Sequence, residues 1–219
     1  MTQLTDTLSG IIDLGGTVVL ILLAVSILTL AVVLYKLWQF TAAHVGRHTA
    51  LNEAVEHWDQ GDAARAHAAQ QRSRSYLAPV IGMALSSGAD AVDRLRAECE
   101  VRFAKLESGL RFLDSVAQLA PLLGLFGTVL GMIEAFQALQ DAGAQVDPSI
   151  LAGGIWVALL TTAVGLAVAM PTALVLAWFE SRMEAERVIA EKLLLTILAP
   201  QDVRPMERSA PNMSVPQNA

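Results

Sequence analysis

The sequence is poor in charge. Charged residues make up 16% of its 219 positions, against about 25% in ordinary soluble domains. It holds one cysteine, Cys99, so no disulfide can form within the chain and nothing implies an oxidising compartment. Cys99 falls in a charged helical pattern and reads as a small, half-buried helix residue. Lys and Arg are missing before Lys36 and again between Arg111 and Arg182. Without a basic region before it, the first apolar run is not read as a secretory signal, and it is too long for one. There is no Gly-rich phosphate loop, nucleophile motif or Cys/His array, which leaves an enzymatic reading unsupported and calls for no cofactor. His44 and His48 share i,i+4 spacing, but two ligands do not make a metal site. Basic residues are mixed with acids, which argues against nucleic acid.

What is abundant is apolar: 54% of the chain is hydrophobic. Three uncharged runs, Leu14–Tyr35, Ser115–Ile133 and Pro148–Phe179, each reach the ~20 residues that cross ~30 Å of hydrocarbon. The third exceeds that need and is expected to tilt or to project as a continuous helix. All fifteen Lys and Arg lie from Lys36 to Arg111 or after Phe179. By the positive-inside bias, the N-terminus and the second connection are outside, and the middle segment and C-terminal tail are inside. The expected division is an outer N-terminus 1–13, spans at 14–36, 114–135 and 150–179, and a cytoplasmic helical domain at 37–113. An outer loop at 136–149, a cytoplasmic helix at 180–199 and a disordered tail at 200–219, rich in Pro, Asn, Gln and Ser, complete it.

Trp58, Gly61 and Asp62 suggest a helix–turn–helix, and Pro79 a further boundary. From Val92 apolar residues recur at Leu95, Cys99, Phe103, Leu106, Leu110 and Leu113, one face of an α-helix. With no breaker between this pattern and the second span until Pro121, it predicts one long helix running into that span. No strand alternation is visible. The fold class is an all-α membrane protein with long cytoplasmic helical extensions.

The second span carries Gly124, Gly127 and Gly131, and the third Gly154 and Gly165, in stripes of small residues spaced by three or four. Such stripes let helix backbones approach closely in lipid, within one subunit or between copies. Pro121 and Pro171 each remove a backbone hydrogen bond and can bend a helix. Thr128, Thr161 and Thr162 admit two readings. Each hydroxyl can bond its own helix, or it can line a water- or partner-filled cavity. Intramembrane acids mark proton relays, and the three uncharged runs contain none. If protons cross here, a partner supplies the titrating group. A secondary transporter fits less well, since no inverted repeat or charged midplane site is visible.

The segment Leu119-Ala-Pro-Leu-Leu-Gly-Leu-Phe-Gly-Thr-Val-Leu-Gly-Met132 resembles the second-span signature of the ExbB/TolQ family, related to the MotA flagellar stators. Gly153-Gly-Ile-Trp-Val-Ala-Leu-Leu-Thr-Thr-Ala-Val-Gly-Leu-Ala-Val-Ala-Met-Pro171 resembles its third-span signature. The resemblance covers roughly residues 10–199. It implies a bacterial inner-membrane location with a periplasmic N-terminus, and a homopentameric ring around a dimer of single-span ExbD/TolR-like subunits. It also implies protons carried by an aspartate of that partner, and a TonB- or TolA-like protein driven in turn. The family's pore threonines fall on Thr128 and Thr162. One departure stands out: many relatives have glutamate where Val157 stands. Glu134, near the outer end of the second span, is a candidate for part of its electrostatic role. The leading expectation is an ExbB-like proton-driven stator. The alternatives are a TolQ-like or other specialised stator, and a non-conducting membrane scaffold.

The topology is testable with an alkaline phosphatase reporter, which is active only outside the cytoplasm. Insertion within 136–149 is expected to give activity and insertion within 37–113 none. The opposite pattern would reverse the orientation.

Overall fold

The computed structural model describes the backbone of residues 2–87, 91–141 and 148–199, with side chains from residue 16 onward except Ile150. The described residues form helices and no strand: α1 (Thr2–Ala42), α2 (Thr49–Asp59), α3 (Ala63–Arg72), α4 (Ala78–Leu85), α5 (Val92–Glu107), α6 (Leu110–Asp141) and α7 (Pro148–Leu198). They divide into two compact units. The first comprises Met1–Gly46 and Glu100–Val188, the second Arg47–Cys99 and Ile189–Ala219. The tail expected from residue 200 and residues 142–147 of the expected outer loop lie outside the described residues; the remainder of that loop, 136–141 and 148–149, is helical and belongs to α6 and α7.

The first unit contains the long apolar stretches. Gly16–Ala42, Leu110–Asp141 and Leu151–Leu198 are long and apolar enough to cross a membrane. Helix α1 kinks at Gly16, whose φ of +66° is open to glycine and costly for other residues. Val18 and Leu22 of α1, Val116 and Ala120 of α6 and Ala169 of α7 form a buried cluster, flanked by Val25, Leu123, Leu130, Val164 and Val168. The outer faces stay apolar, with Ile27, Leu34, Leu122, Phe126, Leu159 and Leu174 all exposed. That is the surface a hydrocarbon solvent requires of a span. Trp156 and Trp178 are exposed on α7. Their separation of 22 residues is about 33 Å of helix, the spacing of two aromatic belts at the bilayer surfaces. Phe40 of α1 packs its ring edge on Phe179 of α7, centroids 5.0 Å apart.

Pro121 and Pro171 lie inside α6 and α7 without ending them. A membrane helix tolerates proline because neighbouring helices and local adjustment satisfy the freed carbonyl. The second span differs from its expected continuity. The helix breaks at Ser108–Gly109, where Gly109 has φ +88°, so α5 and α6 are separate elements. The break was invisible to the pattern because Leu106 and Leu110, one turn apart across it, are both buried. A left-handed glycine redirects the chain without disturbing the apolar spacing.

In the second unit, α2 and α3 form the helix–turn–helix expected from Trp58, Gly61 and Asp62. Gly61 takes φ +83°, and the Asp62 carboxylate caps α3 by accepting from Arg65 N–H at 3.0 Å. Leu51, Ala54, Val55, Ala66, Ala69, Leu77, Val80 and Ile81 are buried. At the end of α7 the Trp58 indole donates to Ile197 O at 3.0 Å, and Arg96 pairs with Glu191 at 2.6 Å. His48 is buried with Nδ1 3.2 Å from Ser75 Oγ, an arrangement of packing rather than metal chemistry. Replacing Asp62 with Ala should cost about 1 kcal/mol through the lost cap. It should appear as a lower thermal midpoint with unchanged helix content by circular dichroism.

Candidate functional site

The small residues of α6 and α7 meet. A Cβ placed on Gly124 would lie 2.9 Å from Thr161 O and 3.0 Å from Thr162 Cα. One on Gly127 would lie 2.7 Å from Thr161 Cβ, and one on Gly131 would touch Ala158 at 3.4 Å. From the other side, a Cβ on Gly165 would stand 2.6 Å from Ala120 O, and one on Gly154 would collide with Ala135. Backbone approach therefore requires Gly124 and Gly165, side-chain contact requires Gly127 and Gly154, and Gly131 has room for a methyl group. A real Cβ essentially never comes under 3.0 Å of another heavy atom, so larger residues would push the helices apart. The seam brings main-chain carbonyls of one helix against the other, and attraction at that range comes from packing and weak polar contacts, not from water exclusion.

Threonines punctuate this seam differently from one another. Thr161 is buried at 1% exposure. Its hydroxyl donates to Ala158 O at 2.7 Å and also lies 3.2 Å from Gly124 O on α6. Thr128 is half-buried and donates to Leu125 O at 2.6 Å. Thr29 and Thr172 return their protons to Val25 O and Val168 O, each at 2.7 Å. Thr162 does none of this: its Oγ1 is buried and has no hydrogen-bond partner among the described residues. A buried hydroxyl left unmet costs free energy. Val157 is half-buried on α7 and Glu134 exposed on α6.

A second constellation lies beyond the apolar stretch of α7, in the part of the first unit rich in Lys and Arg. Arg187 donates from Nη1 to both oxygens of Glu100, at 2.6 and 2.7 Å, and from Nη2 to Glu107 at 2.7 Å. Its guanidinium carbon sits 4.9 Å from the Phe103 ring centroid, within reach of a cation–π attraction. The hydrogen bonds to Glu107 and Glu100 raise its pKa above the ordinary arginine value. Next to it a cavity of about 620 Å³ is lined by Glu107, Ser108, Gly109, Arg111, Asp114, Glu180, Glu184 and Arg187, among others. Sequence reasoning missed this cluster. Glu100, Phe103 and Glu107 lie on one helical face of α5 and could have been paired. Their partner on α7, eighty or more positions away, could not. Among the described residues no group of three or more His, Cys, Asp or Glu could hold a metal ion.

Comparison with known proteins adds an independent line. The profile of the MotA/TolQ/ExbB proton channel family matches residues 58–192. The biopolymer transport protein ExbB of Neisseria meningitidis is 34% identical over 181 residues, covering 76% of this chain and 81% of that protein. The biopolymer transport protein exbB1 of Vibrio cholerae is 46% identical over 67 residues, 31% of this chain and 29% of its own length. The Tol-Pal system protein TolQ of Haemophilus influenzae is 47% identical over 66 residues, 30% and 28% respectively. The match thus spans less than a third of the length of the latter two relatives.

The seam makes its own prediction. Gly165→Val should separate α6 from α7 and cost about 1–3 kcal/mol as an overpacking change. It should be seen as a lower thermal midpoint in detergent. Gly153, around which nothing lies within 4 Å, should accept the same change with a much smaller shift.

Proposed function

Because the chain belongs to the MotA/TolQ/ExbB proton channel family and is a multi-pass inner-membrane protein of that family, we propose that it is the stator subunit of a motor driven by the proton-motive force. In this reading five copies surround the single-span helices of two ExbD- or TolR-like subunits, and the assembly energises a TonB- or TolA-like protein. The uncharged runs Leu14–Tyr35, Ser115–Ile133 and Pro148–Phe179 contain no acid of their own, so the titrating carboxylate belongs to the inner subunit. The role of this chain is to give that carboxylate a surface along which it moves, protonated and deprotonated in turn.

The observation that carries the reading is the Thr162 hydroxyl, buried and unbonded at the α6–α7 seam. A partner carboxylate or a water file would satisfy it. Thr128, whose proton is held by Leu125 O, keeps lone pairs free to accept, and is read as the second polar point of the path. Thr161, locked between the helices, serves the seam that carries both. The glycines and the two prolines set the spacing of α6 and α7. Energetics set the scale of each step: a proton crossing ~100 mV releases about 2.3 kcal/mol, enough to exchange one or two hydrogen bonds. Smooth walls of small residues with isolated hydroxyls suit many such steps. Glu134 near the outer end of α6 is read as the source of a negative potential that draws protons inward, in the place of the family glutamate replaced here by Val157. The similarity to both ExbB and TolQ proteins keeps two output systems open, nutrient uptake and envelope constriction.

Thr162→Val is isosteric and removes only the hydroxyl. With an ExbD- or TolR-type partner in liposomes, it is expected to lower proton flux about tenfold, the effect of losing one hydrogen bond in the rate-limiting step. Ring assembly by native mass spectrometry should not change. Full flux would remove the pore role of Thr162, and a wild-type ring with no flux at all would leave a scaffold. Glu134→Gln in the same assay should lower flux by a smaller factor, and unchanged flux would dispose of its role.

A further inference from the structure

Lys36 stands where the apolar run of α1 ends. A lysine at that level ordinarily extends its ammonium to the lipid headgroups. Here it turns inward and is 1% exposed. Its Nζ donates to Leu106 O at 2.9 Å and to Gln39 Oε1 at 2.7 Å, while Gln39 Nε2 donates to Lys105 O at 3.3 Å. Both carbonyls belong to the last turn of α5, where no helical N–H can take them and the helix dipole is negative. The ammonium is therefore compensated by a helix terminus. None of the ion pairs of the described residues includes it.

The same side chain underlies the break between α5 and α6. Lys36 Cε lies 3.3 Å from where a Cβ of Gly109 would be, so the lysine occupies the space that the glycine leaves open. Ser108 and Gly109 are not helical, and a glycine turns about its two dihedrals at little cost. On its own this joint would absorb any displacement of α6. It is braced from two sides. Arg187 of α7 grips Glu100 and Glu107, and Lys36 with Gln39 of α1 grips the carbonyls of Lys105 and Leu106. Unseating the ammonium would leave a buried charge and the buried Leu106 carbonyl without partners, which is costly in a low-dielectric site.

We propose that Lys36 is a positioning residue of the proton-driven cycle: it pins the α5–α6 joint to α1, so that movement of α6 is passed on to α5 and not lost at Gly109. The proposal rests on the stator reading above. Lys36 has no hydrogen bond to Thr128, Thr161 or Thr162, so its loss should separate conduction from output.

The experiment compares wild type, Lys36→Met and Gln39→Leu, each full length and assembled with an ExbD- or TolR-type partner. Proton flux is read in liposomes, and the energised activity of the TonB- or TolA-type output in cells. In Lys36→Met, flux should stay within about twofold of wild type while output falls about tenfold, the loss of a charged hydrogen bond. Gln39→Leu should show the same split with a loss of roughly threefold. A parallel fall of flux and output, or no fall in either, overturns the proposal. If Lys36→Met fails to assemble, the ratio in Gln39→Leu decides in the same way. A wild-type ring without flux overturns the stator reading and this proposal with it. Normal wild-type flux with an unaltered ratio in the variants overturns this proposal alone.

Discussion

Inside a bilayer, water cannot drive helices together, because the lipid tails are as apolar as the side chains. Association must come from contact, and contact at backbone range requires residues without bulk. The α6–α7 seam answers that constraint. Gly124 and Gly165 admit carbonyls and α-carbons of the facing helix, and Gly127 the Thr161 side chain, to distances that a methyl group would block. The rest of the span bundle follows from this approach. Once α6 and α7 are that close, Thr161 is enclosed and must bond Ala158 O or Gly124 O, while Thr162, beside it against Gly124, is left with a buried oxygen that has no partner among the described residues. The functional reading grows from a packing requirement.

Charge is handled by the opposite rule. The apolar runs hold no Asp, Glu, Lys, Arg or His, and Lys and Arg crowd at one end of them. There the cations that turn toward the protein are held in company. Arg187 holds two carboxylates and faces an aromatic ring, and Lys36 is taken up by the carbonyl end of a helix. Both grip the last two turns of α5, on the approach to a glycine that interrupts the helix. A stiff grip on a soft joint is what separates a lever from a loose tether. For a stator the distinction matters, because each proton supplies the energy of only one or two hydrogen bonds.

The seam and the joint differ in how they were legible. The glycine stripes could be read because a span shows one face through a spacing of three and four, and small residues on that face have one main use in lipid. The periodic face from Leu95 to Leu113 was equally plain, and all of Leu95, Cys99, Phe103, Leu106, Leu110 and Leu113 are buried. The same regularity concealed the break at Gly109, since a single left-handed residue leaves the spacing intact. Lys36 read as a mere boundary marker, because a sequence does not say whether an interfacial lysine turns outward or inward.

What the sequence determined by itself is what depends on composition along the chain: three apolar helices of membrane length, an all-helical fold, the family signatures, and an absence of acid from the spans. Those follow from the solvent each segment needs, which is a local property. Tertiary structure decided which of three threonines keeps an unbonded hydroxyl, which acids Arg187 holds, and where Lys36 places its charge. These depend on partners 37 to 87 positions apart, and such meetings are fixed by helix packing in three dimensions, which no spacing along the chain encodes.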